Sequence, residues 1–296
     1  MPQSVVFPSP VSGIPTGFMS QMYGTGALGD LVVLTGTSPS LTKDSYYNNV
    51  TIQGTGSLRT AGWKLHVAGT LTISASGSVH DDGNAGSNNT PGAALTGGSS
   101  CRGLTGAGAN GVVNVVGGGA AGSTSSAAAS NNSGVTPTGG AGGTSGAQAG
   151  GAGGTATNAG QGPWGNWLQG RGASATAWTG GAGGGSGGCS TATTTASGGG
   201  GGGAGVCWIA AKSIQNSGRI SANGGVGGNA TTSSAGNASG GGGGGGGIVF
   251  LITDTPLSVI GSVTVNGGGP GTSVGTGGVG GTGLSGSTVL IGLGGN

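Results

Sequence analysis

The sequence predicts an all-β protein. It combines short strands, of β-solenoid or sandwich type, with a bundle of polyglycine II helices. Three observations predict this class. Glycine supplies 82 of 296 residues while charged residues make up only 4%. Residues 41–86 alternate apolar side chains with Thr and Ser. A unit of polyglycine run, apolar strand, turn and second strand occurs twice near the C-terminal end.

An ordinary globular domain carries roughly 7% Gly and about 25% charged residues. Aromatic residues are 4% here, and most of the apolar count is Ala and Val. Burial of large side chains therefore cannot be the main stabilising term over most of the chain. So much glycine means either a disordered linker or an array in which backbone packs on backbone. Disorder goes with high net charge and low hydropathy. A net charge of +2 and a slightly positive mean hydropathy favour order.

The chain divides into four stretches. Residues 1–40 are rich in Pro and Ser, with one apolar run from Leu31 to Leu34. They read as an extended arm for attachment or assembly. The start, with Pro2, Pro8 and Pro10 and no basic or long apolar run, does not read as a signal peptide. Residues 41–86 form a β-strand domain. The pairs Val50/Ile52, Leu65/Val67 and Leu71/Ile73 show the period of two of half-buried strands, with Gly54, Gly56, Gly62, Gly69 and Gly77 between them. Residues 87–197 are a low-complexity region of Gly, Ala, Ser, Thr and Asn. Residues 198–296 bring the strands back as repeated polyglycine-plus-strand units. The apolar run from Gly247 to Thr253 is too short to cross a bilayer.

The repeat is the sharpest feature. A copy starting at Ala196 aligns with one starting at Ala238, with one residue inserted. Each closes on Gly-x-[Val/Ile]-x-x-[Asp/Asn]-Gly, at 218–224 and 261–267, and the same closure stands at 77–83. One structural unit is expected three times. The Asp/Asn-Gly pairs read as turn residues rather than as a calcium loop at His80–Asn84. A truncated strand from Ser287 to Leu293 closes the array.

Glycine recurs every third residue at Gly140/Gly143/Gly146, at Gly181/Gly184/Gly187 and at Gly277/Gly280/Gly283/Gly286. Three is the repeat of the polyproline II helix, which has no internal hydrogen bonds. Its backbone groups must then pair between segments, and only glycine lets backbones approach closely enough. The bare runs Gly198–Gly203 and Gly240–Gly247 suit the centre of such a bundle.

These tracts, with polar insertions over roughly residues 87–296, resemble the glycine-rich tail-fibre tip adhesins of T-even-like phages. The resemblance implies sandwiched polyglycine II helices and variable loops that bind bacterial surface receptors. The strands at 41–86 resemble β-structured fibre or decoration proteins.

No catalytic apparatus is expected. The chain has no Glu, two His and a thin acid inventory of Asp30, Asp44, Asp81, Asp82 and Asp254. Neither a zinc cluster nor a cofactor motif is present, and no basic stripe marks a nucleic-acid site. Cys101, Cys189 and Cys207 are odd in number, so at least one stays unpaired in a monomer, and Cys207 reads as a buried thiol. Trp63, Trp208 and Phe250 read as core. Residues 161–178 gather Trp164, Trp167 and Trp178, out of five Trp, around Arg171. These four are the candidate receptor-binding residues, since Trp and Arg are enriched at binding surfaces. The alternative is a local plug against the bundle or a neighbouring subunit.

The expected function is a phage virion structural protein: a tail fibre, spike or tip adhesin, exposed on the particle and assembled in the host cytoplasm. The alternatives are a capsid or tail decoration protein and, from another class, an ice-binding protein. Expected partners are further copies of the chain, as a trimer, then other virion proteins through the arm, and a host surface glycan or outer-membrane protein. Neither nucleic acid nor membrane insertion is expected, and no cofactor or metal.

Overall fold

The computed structural model describes residues 4–6, 22–95, 101, 105–112, 117–120, 125–126, 138–157, 180–190, 195–232, 236–254 and 261–293. It is essentially all-β, with mostly parallel sheets. In chain order the strands are β1 (Ser4–Val6), β2 (Leu31–Val33), β3 (Ser45–Tyr47), β4 (Val50–Ile52), β5 (Ser57–Arg59), β6 (Lys64–Ile73), β7 (Ser78–His80), β8 (Ser125–Ser126), β9 (Ala156–Thr157), β10 (Thr195–Ala196), β11 (Val206–Asn216), β12 (Arg219–Ser221), β13 (Thr231–Thr232), β14 (Ile248–Thr253), β15 (Ser262–Thr264) and β16 (Ser287–Gly292).

From β4 to β7, and again from β11 to β16, the strands just before and after each glycine excursion or turn alternate between a main sheet and a second sheet. The main sheet runs β2–β4–β6–β11–β14–β16, with β1 added beyond β16 and β3 on β6; the second runs β5–β7–β12–β15. All pairs in both sheets are parallel. Strands from 41–86 and from 198–296 thus share two continuous sheets, and the stretch read as an arm contributes β1 and β2 to the main one. The repeat aligned in the sequence is the register of the structure. Val206 pairs with Ile248 and Arg219 with Ser262, so the inserted residue falls between the two strands of the unit. Val79, Ile220 and Val263 stack in the second sheet from the three closures, and Leu58 adds a fourth member.

One apolar core lies between the sheets. It joins Val50, Ile52, Leu65, Val67, Leu71, Ile73, Ile209 and Leu251 of the main sheet to Leu58, Val79 and Ile220 of the second. A second core covers the other face of the main sheet, with Trp208, Phe250, Ile252, Met22 and Tyr23. The main sheet is therefore buried on both faces, which explains why β11 and β14 read as continuous apolar runs. Trp208 and Phe250 are buried as expected, and Trp63 packs against the first core.

The glycine segments extend these sheets. Segments 81–88, 222–230 and 265–274 leave β7, β12 and β15 and lie side by side as a first layer. In it Gly83 donates to the Asn223 carbonyl, Gly86 to Val226, Gly224 to Asn266 and Gly227 to Gly269. Segments 197–205, 238–247 and 277–286 return to β11, β14 and β16 as a second layer. There Gly198, Gly201 and Ala204 donate to Ser239, Gly242 and Gly245, and Gly240 and Gly243 donate to Gly278 and Gly281. A third layer comes from 105–112, 180–189 and 138–144, and a fourth from 117–120 and 148–154. Direction reverses from each layer to the next.

Segment 198–204 illustrates the bonding. Its amides at 198, 201 and 204 go to one neighbour; those at 199 and 202 go to Asn88 and Asn84; those at 200 and 203 go to Ala109 and Gly106. Its carbonyls accept from Gly181, Gly184 and Gly187, from Gly225 and Gly228, and from Gly92. The bonding period is three, and the segment is enclosed on every side. Glycine is required here for approach rather than for a left-handed backbone. Among the described residues the glycines with positive φ are Gly24, Gly26, Gly29, Gly36, Gly54, Gly62, Gly146 and Gly275, none within the bare tracts. A Cβ on Gly200 would fall on the Gly184 carbonyl oxygen, and one on Gly243 on that of Gly268.

Candidate binding surface

The layers have two ends. At one they join the strands; at the other, among the described residues, three reversals are short turns. Ser87 and Thr90 exchange backbone hydrogen bonds of 2.9 Å, as do Ser145 and Gln148, and Gly277 donates to Val274 at 3.1 Å. Each turn contains a left-handed residue: Asn88 (φ 49°), Gly146 (φ 57°) and Gly275 (φ 61°). Asn and Gly are the residues that accept this backbone most readily.

Side chains fix the turn end. Cys189, Ala230 and Ala238 form a small apolar plug, with Val112 and Val274 against it. Single antiparallel bridges run Gly117–Cys189–Ala238–Val274 across it. The buried Ser145 hydroxyl lies 2.9 Å from Ser190 Oγ and donates to the Asn237 carbonyl at 3.1 Å. Asn237 Oδ1 accepts the Thr276 amide at 2.8 Å. Above this anchored base the exposed residues are small and polar or neutral: Asn88, Thr90, Ala147, Gly275 and Thr276. Among the described residues this surface offers amide and hydroxyl groups for hydrogen bonding and no charged side chain.

The sequence-derived candidates Trp164, Trp167, Arg171 and Trp178 lie outside the described residues. The nearest described residues on either side, Thr157 and Gly180, sit at the strand end of the layers. Gly154 donates to Gly183, and Gly181 to Ala204 just before β11.

A charged cluster marks the junction where the second sheet becomes the first layer. Asp81 is buried, accepts the Val206 amide at 3.0 Å, and lies 3.6 Å from Arg59 Nε. Asp82 points the other way. It accepts the Asn223 amide at 2.7 Å and the Ser221 hydroxyl at 3.1 Å, with Arg219 Nη2 at 3.3 Å and His80 Nδ1 at 3.5 Å. Burial pushes the His80 pKa below its ordinary value, against the opposing pull of Asp82. Asn223 Oδ1 in turn accepts the Asn266 amide at 2.8 Å.

This ladder corrects the expectation of turns at the Asp/Asn-Gly pairs. Asp82, Asn223 and Asn266 stand in extended backbone and bond from one parallel segment to the next. The signal in the sequence was the recurrence of a carboxamide or carboxylate at one repeat position, which in a parallel stack makes a ladder. A fourth closure, Gly56–Gly62, has Leu58 for Val and Ala61 for Asp/Asn, so it does not stand out as a repeat in the sequence. Among the described residues no group of three or more His, Cys, Asp or Glu could hold a metal ion. Nor, among them, is any helix long and apolar enough to cross a membrane. The carboxylates of the cluster are engaged by amides and cations, an arrangement suited to neutralising buried charge.

No family model, curated protein or solved structure matches the chain.

Proposed function

We propose that this chain is a structural protein of a phage particle, exposed on its surface, where it acts as a tail fibre, spike or tip adhesin binding a host-cell receptor. It carries out no catalysis. Its fold is then a stack of β-solenoid coils whose two sheets run on into a bundle of polyglycine II helices. The observation that supports this most is the three-residue bonding period of 198–204, with partners on every side. A helix with three residues per turn points successive amides in three directions, so only a packed bundle satisfies them.

Such a bundle suits display. Its interior holds glycine with a few buried Ala and Ser, such as Ala182, Ser186 and Ala204, while the turns at its free end set exposed residues on an anchored base. The receptor-facing surface is therefore the turn end, with Asn88, Thr90, Ala147 and Thr276. The described residues that flank the Trp164–Trp178 stretch, Thr157 and Gly180, lie at the strand end, which supports packing against the bundle or a neighbouring subunit over receptor contact. Assembly as a homotrimer, and contact with other virion proteins, is proposed at the β2 end of the main sheet. There the edge strand leaves Leu28, Val32 and Leu34 about half exposed, and exposed edge strands invite pairing.

Locating the chain in a particle reconstruction tests the reading: density at the tail tip or fibre supports it. Density on the capsid shell would favour a decoration protein. Loss of adsorption with normal particle assembly is expected for Asn88→Ala combined with Thr276→Ala. Loss on Trp164→Ala, Trp167→Ala or Trp178→Ala instead would move the receptor site to the strand end.

A further inference from the structure

The lateral edges of the glycine layers carry residues that the interior does not. In the first layer each segment donates forward: Gly224, Gly227 and Ala230 bond to Asn266, Gly269 and Thr272. Segment 265–274 is the last of this layer. By the register of the repeat, its forward donors correspond to Gly267, Pro270 and Ser273. The central one is proline, which has no N–H.

The second layer ends in a different device. Gly240, Gly243 and Gly246 donate to Gly278, Gly281 and Leu284. The equivalent positions in the last segment are Val279, Thr282 and Ser285, all exposed. A Cβ on Gly240, Gly243 or Gly246 would fall on a first-layer carbonyl, that of Gly271, Gly268 or Val265. By the same geometry the side chains of Val279, Thr282 and Ser285 fill the space that a further first-layer segment would need.

The opposite edge is occupied as well. The carbonyls of Asn223 and Asn266 accept in-layer amides, and the equivalent carbonyl of Asp82 accepts Arg59 Nη2 at 3.3 Å. A guanidinium stands where the amide of a preceding segment would bond.

We infer that these residues are an edge stop: Pro270 and the Val279–Thr282–Ser285 row on one side, and Arg59 on the other, keep a second copy of this chain from extending the glycine layers edge to edge. An unprotected edge of bare glycine would present the same donors and the same close-approach surface that hold the interior together. Copies of the chain therefore meet elsewhere than by adding a segment to the first layer. This holds whatever the protein binds.

The test uses the full chain carrying Pro270→Gly, Val279→Gly, Thr282→Gly and Ser285→Gly, compared with the unmodified chain by sedimentation over a range of concentrations. The mass average of the variant is expected to rise with concentration by about twofold or more as copies pair through the freed edge, while the unmodified chain keeps its assembly state. A variant with unchanged circular dichroism and unchanged mass overturns the inference. Should the multiple variant not fold, Pro270→Gly with only Val279→Gly and Thr282→Gly restores one N–H and clears the space beside it. Its amide at position 270 is then expected to exchange more slowly as concentration rises, and exchange independent of concentration overturns the inference equally.

Discussion

Asp82 and Asn223, 141 positions apart, are joined by a 2.7 Å hydrogen bond from the Asn223 amide to Asp82 Oδ1. The bond locks the start of the first layer to its second member, and Asn223 repeats the arrangement toward Asn266. Removing the carboxylate strands the Asn223 amide and the Ser221 hydroxyl together. Asp82→Ala should cost about 1.5–3 kcal/mol, the range for hydrogen bonds to a charged group. Asp82→Asn keeps an acceptor in place and loses mainly the partly exposed pair with Arg219, worth about 0–1 kcal/mol. Thermal unfolding of both variants checks the order: equal losses would mean that the ladder contributes nothing beyond charge.

Glycine substitutions should divide by position. Replacing an interior glycine with alanine reduces backbone freedom in the unfolded chain, a gain of about 0.4–1 kcal/mol where the site has room. Gly269 has no atom within 4 Å of a built Cβ, so Gly269→Ala should be neutral or stabilising. At Gly200 and Gly243 the Cβ meets a backbone carbonyl that cannot swing aside. Overpacking there should cost at least about 1–3 kcal/mol and outweigh the gain. Melting temperatures of the three single variants read this directly.

Much of this was legible in the residues. The offset between the copies at Ala196 and Ala238 is the register of β11 on β14, and the bare runs Gly198–Gly203 and Gly240–Gly247 are the enclosed segments. Alternation at Val50/Ile52 and Leu71/Ile73 placed core residues correctly. What escaped is non-local. Nothing in the sequence near Leu31–Val33 announces that it pairs with β4 in the sheet that also holds β11 and β14. Gly146 continues a three-residue glycine series yet is the left-handed residue of a turn, because Ser145 and Gln148 close on each other there. The Asp82–Asn223–Asn266 ladder looks like three turns until the segments are known to run parallel. The candidate Trp residues fall outside the described residues, and the turn end has no compositional mark, since its Asn, Ser and Thr are common throughout.

Acid should weaken the fold. Burial holds the pKa of both His66 and His80 below the ordinary value of 6.5. In the unfolded chain these imidazoles take up protons as pH falls through about 6.5, while the folded chain resists. Their contribution is complete above the unfolded pKa and is lost as pH falls below it, until the folded pKa is reached. Melting temperature should drop between pH 7.5 and pH 5, and His80→Asn should flatten part of that slope. A melting temperature that rises on acidification would contradict the placement of the two rings.

The cysteines should be inert in the native protein. Cys101, Cys189 and Cys207 are buried and form no disulfide among the described residues, and burial raises the Cys207 thiol well above its usual range. A thiol held protonated and out of solvent is a poor nucleophile. A thiol-reactive dye should label none of them in the folded chain and all of them once denaturant is added.

Amide hydrogen exchange over residues 198–203 and 240–247 bears most directly on the bundle. Segments bonded on every side must open before they exchange, so these glycines should be among the slowest amides in the chain, comparable with β11 and β14. Exchange there at the rate of free glycine-rich peptide, with the strands still protected, would contradict the account.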